Sequence, residues 1–515
     1  MKAMRTIYLY ILILVAAVLG GCSFIDESPH SALTEQEAFA SMSALKQNAV
    51  LSVYQYIGGD CDSEGLHGTG RGVYDLNSLT TDEQIIPTRG GDWYDGGYWN
   101  RLRLHTWTTD DSSIRDTWDY LFKVVMLCVT GMERIDGYHL ADANHAELSK
   151  LRAELQALKA MYYFYLVDLY GSVPIVTRST VRSDSLHLAT RAEVFRYAVS
   201  ELQAAMPLLA VDQAQHPSSE YYGRMTYYVA QFTLMKLYLN HAVYTGAENT
   251  ALYDSVLVCA DRISTAYRLA PMLADNFALN NENSEENIFT IPREAGLYRA
   301  HYNYFHRSAH YNHAAALGMG GENGASATLQ TLQVFGYATA EQDPRFEQYF
   351  YYDTVYCNGT VVYAEDGVSP LVYHADKIQP DLTGSPYEKN AGARLRKYEH
   401  DPNGLHDATV GKNDIVLFRY ADVLLMQAEA LTRLGRDGKN EVNEVRNRVG
   451  AQPLTTAPTL DDIYYERWRE LMWEGWHRND MIRMGKWTGY TTLFPIPAEL
   501  ITMHPGWKQN PGYTQ

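Results

Sequence analysis

Cysteine is scarce: five in 515 residues. Cys61, Cys128, Cys259 and Cys357 lie far apart and form no C-x-x-C pair, which excludes the usual zinc spacings. Cys128 and Cys259 sit in helical patterns and are expected to be buried thiols. Export would permit disulfides among the four, and the spacing selects no pairing. A basic excess is also missing. With 43 Lys+Arg against 61 Asp+Glu, the formal net charge is -18. Nucleic-acid binding needs clustered cations, so a nucleic-acid partner is excluded. No apolar run is long enough to span a membrane. The first, Ile7–Leu19, has 13 residues and follows the basic Lys2 and Arg5, the pattern of an export signal. G-x-S-x-G and H-E-x-x-H are absent, and no glycine-rich stretch has the form of a phosphate cradle. What remains is a globular balance, 46% apolar and 20% charged, with an aromatic content dominated by 40 Tyr.

Leu19-Gly20-Gly21-Cys22 resembles the lipobox of bacterial lipoproteins. Cleavage before Cys22 would leave that residue lipidated and residues 22–40 as anchor and tether. Several acyl chains hold a protein stably on a membrane without spanning it.

Beyond the tether, residues 41–515 read as a single, mainly α-helical domain. Leu148, Leu151, Leu155, Leu158, Tyr162, Tyr165 and Leu169 form the stripe of an amphipathic helix, with Lys150, Arg152, Glu154 and Lys159 on the other side. Gly171 and Pro174 end it. Similar patterns predict helices over about 112–135, 191–208, 224–243, 250–266, 415–434, 438–449 and 460–484. Short connections between them suggest stacked helical hairpins. Three stretches break the rhythm: 58–110, 292–325 and 350–412, the last with a short β-like run at Thr360–Tyr363. Long irregular segments in a compact protein commonly carry function.

Order and spacing of short motifs connect the whole chain to a known family. Phe24-Ile25-Asp26 and Pro29, then Thr34 and Phe39, open the series. Thr81-Asp82-Glu83 follows, then Ala153-Glu154 through Lys159-Ala160, Tyr162-Tyr163-Phe164 and Tyr170-Gly171-Ser172-Val173-Pro174. Gly223-Arg224, Asp343-Pro344-Arg345, Arg419-Tyr420-Ala421-Asp422 and Ala428-Glu429-Ala430 come next. Asn443, Arg446, Arg448 and Gly450 precede Glu466-Arg467, Glu470-Leu471, Glu474-Gly475, Arg478, Asp480 and Arg483. Pro495-Ile496-Pro497 and Gln509–Tyr513 close the chain. In this order they resemble the SusD/RagB family of surface lipoproteins, which serve nutrient uptake in Bacteroidetes-type bacteria; Lys159 and Asp422 stand where Arg and Glu are usual. The resemblance implies tetratricopeptide-like helix pairs carrying irregular loops. It implies no enzyme, but an outer-membrane protein facing the cell exterior that binds an oligosaccharide, or in some members a peptide. Such a protein acts as the lid of a SusC-like TonB-dependent transporter. No cofactor is expected, although some relatives hold a structural calcium ion.

Trp93, Tyr94, Tyr98, Trp99 and Asn100 form the leading candidate site. Sugar rings present flat C–H faces to aromatic rings, and their hydroxyls need polar partners. Arg71 and Arg89 are candidate hydrogen-bond donors. The family resemblance adds a second loop near 298–311, where Tyr298, Tyr302 and Tyr304 are the candidate partners. Other clusters have plainer readings. Asp60-Cys61-Asp62-Ser63-Glu64-Gly65 begins like a calcium loop, but Arg71 replaces the bidentate Glu at position 12. His301, His306, His310 and His313 read as an aromatic-rich surface loop, and Gly318–Gly324 as a flexible one. Glu470 and Glu474, on one helix, would be the acid/base pair of a glycoside hydrolase. Neighbouring arginines are instead expected to hold both ionised, with Glu474 pairing Arg478 at i, i+4.

Overall fold

The computed structural model describes residues 34–59, 61–67, 70–180, 186–212, 218–293, 304–404, 411–489 and 491–513. The lipidation assignment at Cys22 and the candidates Tyr298 and Tyr302 lie outside these residues. The helices used below are α1 Val73–Ser78, α2 Tyr98–Leu104, α3 Ser112–Asp136, α4 His145–Leu169, α5 Arg191–Ala205, α6 Tyr227–Leu239, α7 Thr250–Ile263, α8 Tyr304–Ser308, α9 Tyr311–Ala316, α10 Tyr420–Arg433, α11 Lys439–Arg448, α12 Leu460–Leu471 and α13 His477–Arg483. Strands β1 Asn287–Ile291 and β2 Ile415–Arg419 form the longest ladder. Among the described residues no helix is long and apolar enough to cross a membrane. The protein is mainly α-helical, as expected.

The scaffold is a series of neighbouring helix pairs. α3 packs on α4, α4 on α5, α6 on α7, α7 on α10, and α10 on both α11 and α12. The Asn144 side chain caps α4 by accepting from the Ala146 and Glu147 amides, a device that contributes about 1 kcal/mol. Gly171, at φ 73°, turns the chain out of the helix in a conformation that glycine adopts without strain. The Leu148–Leu169 stripe is buried as predicted. Two residues assigned to the polar side are not on it. Glu154 and Lys159 are buried, because α5 and the 220–225 segment cover that face as well. Burial is tolerable because each charge is paired: Glu154 with Arg224 at 2.6 Å and Lys159 with Glu201 at 2.7 Å. The tether assignment also shifts. Thr34 and Glu37 form a capping box on a short helix at Glu35–Ala38, and Phe39 packs against the main core, so the folded domain begins before residue 41.

The helix predicted from 415 begins instead at Tyr420. Ile415–Arg419 is a strand, buried at every position, paired antiparallel with Asn287–Ile291 and irregular around Phe418. A short apolar run buried on both faces has no period that separates strand from helix.

The segment 460–484 is two helices rather than one. After Leu471 the chain turns through Trp473 at φ 64° and Gly475 at φ 76°. The predicted Glu474–Arg478 pair is therefore not formed. Glu474 binds Arg419 and Lys397, while Arg478 binds Asp168. The structural ion network itself is present. Glu470 contacts Arg345, Arg419 and Arg448, and Arg467 bridges Asp422 and Asp480. Burial pushes the Glu470 carboxyl up, but the three guanidiniums outweigh it and hold it well below the usual carboxylate range.

The irregular stretches fold onto a second core. Tyr74, Phe277, Phe335, Phe346, Tyr349 and Trp473 belong to one buried cluster that joins α1 and the 329–350 region to the end of α12. The β-like run at 360 is one arm of a hairpin, Tyr356–Cys357 with Thr360–Val361. Its turn is Asn358-Gly359, both left-handed, as such tight hairpins require.

Candidate functional site

Two irregular segments more than 200 residues apart are stitched into one cleft. Gln84–Ile85 pairs with Ser326–Ala327. Asp75 of α1 binds Arg307 of α8 at 2.9 Å. Tyr311, at the start of α9, donates to Asp92 Oδ2 at 2.6 Å, and Trp93 Nε1 donates to the Glu322 carbonyl at 2.7 Å. The resulting open cavity, about 530 Å³, is lined by Asp62, Gly70, Arg71, Gly91, Asp92, Trp93, Asp95, Trp99, Arg307, Tyr311, Gly321 and Glu322. That volume suits a small-molecule ligand.

Aromatic surface forms its floor. Trp93 and Trp99 meet edge-on with ring centres 5.5 Å apart. Trp93 is half-buried. Trp99 is buried, with Nε1 donating to Asp95 Oδ2 at 2.7 Å. The Arg307 guanidinium lies 5.2 Å from the Trp99 ring centre and that of Arg71 5.4 Å, a cation–π arrangement that fixes the ring further. Gly324 permits the closure: a Cβ there would fall 2.6 Å from Trp93 Cζ2. Of the ten non-glycine residues with left-handed backbone among those described, Arg71, Trp93 and Asp95 line the cleft. Such conformations cost about 1 kcal/mol or more each and gather at binding sites.

Polar groups are held in fixed positions. Arg71 Nη2 donates to Asp95 Oδ2 at 2.8 Å. Asp92 also binds Lys389 Nζ at 2.8 Å; the bonds from Lys389 and Tyr311 keep its carboxyl below the ordinary value. Partial burial pushes Asp62 up. His306 Nε2 lies 3.3 Å from Glu322 Oε1. Burial pulls that imidazole down, but the bonds to Glu322 and to the Gly320 carbonyl leave it raised.

The predicted residues divide. Arg71, Trp93 and Trp99 line the cleft. Tyr94 is exposed but outside the lining. Tyr98 is buried against Trp99, and Asn100 is turned to Thr88, with Nδ2 3.4 Å from its hydroxyl. Arg89 is fully buried. It donates to the Glu388 and Ala391 carbonyls and to Ser326, so it fastens the loops and does not line the cleft. Tyr304 is also buried, with its hydroxyl on His67 Nδ1 at 2.6 Å. His301 lies outside the described residues; of the rest of the histidine segment, His310 and His313 are buried at α9 rather than on a surface loop. Burial lowers them to about 3 and about 4, which leaves them uncharged at neutral pH. Gly318–Gly324 is packed rather than flexible: Asn323 is fully buried, and a Cβ on Gly321 would lie 2.6 Å from that of Ala314. Arg307, Tyr311, Asp62, Asp92, Asp95 and Glu322 were missed as site residues; Tyr311 lay in an aromatic-rich segment, Asp62 in the loop that begins like a calcium site and Glu322 in the glycine-rich stretch. Among the described residues no group of three His, Cys, Asp or Glu is placed to hold a metal ion, and Asp60 lies outside them. Cys128 and Cys259 are buried thiols pushed up to about 12.

Comparison with known proteins agrees with the fold. The structure is similar to surface glycan-binding protein A from Bacteroides thetaiotaomicron in complex with laminarihexaose, with a TM-score of 0.70, 20% identity and coverage of 91% of this chain and 99% of that one. A surface glycan-binding protein A from Bacteroides fluxus gives 0.71, 18% identity and coverage of 92% and 100%. In sequence, the chain is 25% identical to the starch-binding protein SusD of Bacteroides thetaiotaomicron, over 88% of this chain and 87% of the relative. A SusD-like protein of Bacteroides ovatus is 22% identical over 98% and 90%. Residues 23–239 match a family model described as starch-binding, associating with outer membrane. Residues 264–491 match the model of the SusD family. With both halves matched and the fold shared, the chain belongs to the SusD/RagB family.

Proposed function

We propose that this protein is a surface lipoprotein of the outer membrane that captures an extracellular oligosaccharide in the Trp93–Trp99 cleft and passes it to a SusC-like TonB-dependent transporter, serving as its lid. The observation that carries the reading is the half-buried Trp93 indole, braced edge-on by the buried Trp99, in an open cleft whose walls are fixed carboxylates, guanidiniums and a tyrosine. Aromatic faces take the C–H side of a pyranose, and carboxylates accept its hydroxyls. Two relatives with glycan-binding names share the fold, and the SusD relative is named as starch-binding. The lipobox at Cys22 and the family model described as associating with the outer membrane support the location.

The protein acts by binding rather than by hydrolysis. A glycosidase needs a protonated carboxyl facing a second carboxylate across the scissile bond. Glu470 and Glu474 are buried in the ion network and do not line the cleft.

Isothermal titration of the mature chain, freed of its lipid, against oligosaccharides and mixed peptides tests this. The wild type binds one glycan class without releasing reducing sugar. Trp93→Ala weakens that binding roughly five- to tenfold, the scale of one aromatic contact, while its circular dichroism stays helical. Unchanged affinity in the variant would move the site elsewhere. Binding of peptides alone would replace the sugar ligand with a peptide.

A further inference from the structure

The charge of the cleft, taken with the reading of it as a glycan site, narrows the ligand. Four carboxylates line it, Asp62, Asp92, Asp95 and Glu322, against two guanidiniums, Arg71 and Arg307. Each of these cations already meets a carboxylate, and a further one, the raised imidazole of His306, lies 3.3 Å from Glu322. Arg71 is held by Asp95 at 2.8 Å. Arg307 is held through Nη1 by the buried Asp75 at 2.9 Å, and Lys389, outside the lining, by Asp92 at 2.8 Å. Asp62 is the carboxylate least matched: its side chain is half-exposed, and the nearest Arg71 nitrogen is 4.0 Å away.

Recognition of a uronate or sulfate group relies on cations that can turn to it, above all the paired N–H groups of arginine. In this cleft such a group would have to compete with a carboxylate for each guanidinium and would face the excess negative charge at short range. Sugar hydroxyls meet the opposite situation. They donate to carboxylates, which are the commonest polar groups on these walls. The chain as a whole, at -18, adds long-range repulsion of polyanions.

We infer that the cleft selects uncharged glycans and rejects those bearing uronate or sulfate groups. This rests on the glycan-receptor reading, and one experiment separates the two. The mature chain is titrated with neutral hexasaccharides (malto-, laminari-, xylo- and mannohexaose), with oligogalacturonate and oligoalginate of similar length, and with a sulfated heparin hexasaccharide. Each titration is made in about 20 mM and about 500 mM NaCl, which moves the screening length from about 20 Å to about 4 Å. The expected result is binding of at least one neutral hexaose, with every acidic oligosaccharide at least about tenfold weaker at low salt. In Asp62→Asn the affinity ratio of neutral to acidic ligand narrows. An acidic oligosaccharide that binds as tightly as the best neutral one, or an Asp62→Asn ratio equal to that of the wild type, overturns the charge selection and leaves the receptor reading standing. Silence toward neutral and acidic sugars alike overturns the receptor reading, and this inference with it.

Discussion

Trp93 is held by three features at once: a left-handed backbone at φ 60°, an indole N–H on the Glu322 carbonyl, and a ring against Gly324. The third can be tested without touching the ligand-facing side chains. Gly324→Ala places a methyl group where the indole now lies, so it is expected to lower ligand affinity several-fold while the helical spectrum is retained; equal affinity would show that the ring position is unimportant. Glu83 offers a second residue-scale test. Its fully buried carboxyl accepts from Ser78 and from the Trp473 amide, yet burial outweighs these bonds and raises it from 4.5 to about 7. The fold thus favours the protonated form. This contribution is present in full below about pH 4.5 and is lost as pH rises through about 7. Thermal melts should therefore show Glu83→Gln gaining on the wild type between about pH 5 and pH 8, by on the order of 3 kcal/mol. A difference that is flat with pH contradicts the burial argument. These residues also show what sequence could convey. Tryptophans in a Gly/Asp-rich loop suggest a sugar platform, but the same residues can pin the loop to the scaffold, as the buried Trp99 does. The side chain of Arg89 looks the same in sequence whether it reaches solvent or, as here, closes on two carbonyls and a serine.

At the scale of elements, the break between α12 and α13 lets Glu474 leave the helical i, i+4 pattern and meet Arg419 and Lys397. Arg419 is the hub, in contact with Glu286, Glu470 and Glu474. Removing one partner from a buried ion cluster strands the others. Arg419→Ala should accordingly cost about 3–5 kcal/mol by urea unfolding, and a loss below about 1 kcal/mol would contradict it. The acid limb follows from the same network. Glu470, Glu429, Asp422 and Asp480 are all buried, which raises them, yet neighbouring cations hold each below its ordinary value. Their contribution is present above the unfolded carboxylate range, about 4, and lost as pH falls beneath it. The predicted helices were legible wherever apolar residues kept a 3.6-residue period. They failed where a segment was buried on all sides, as in Ile415–Arg419, and where one left-handed pair, Trp473 and Gly475, cut a helix whose side-chain pattern continues across the break.

For the whole molecule, order and spacing of motifs carried the fold, because several of the described motifs are joints in it. Arg345, Arg419, Glu466 and Arg467 are ion-network members, and Gly171 is a helix stop. The cleft was legible by half. Its first wall is continuous in sequence, from Asp62 to Trp99, whereas Arg307, Tyr311 and Glu322 reach it only through tertiary contacts that no local pattern encodes. The membrane assignment is a whole-molecule property as well. Cys22→Ala should release the protein from membranes into the soluble fraction, and continued tight association would overturn the lipid anchor. The most direct test of the account is a crystal structure of the mature chain with the tightest-binding oligosaccharide from the titration panel. The account predicts a sugar ring packed on Trp93, with its hydroxyls on Asp62, Asp92 or Glu322. A ligand seated elsewhere, such as the cavity of about 620 Å³ between residues 186–190 and 503–511, with the Trp93 cleft unchanged, would contradict it.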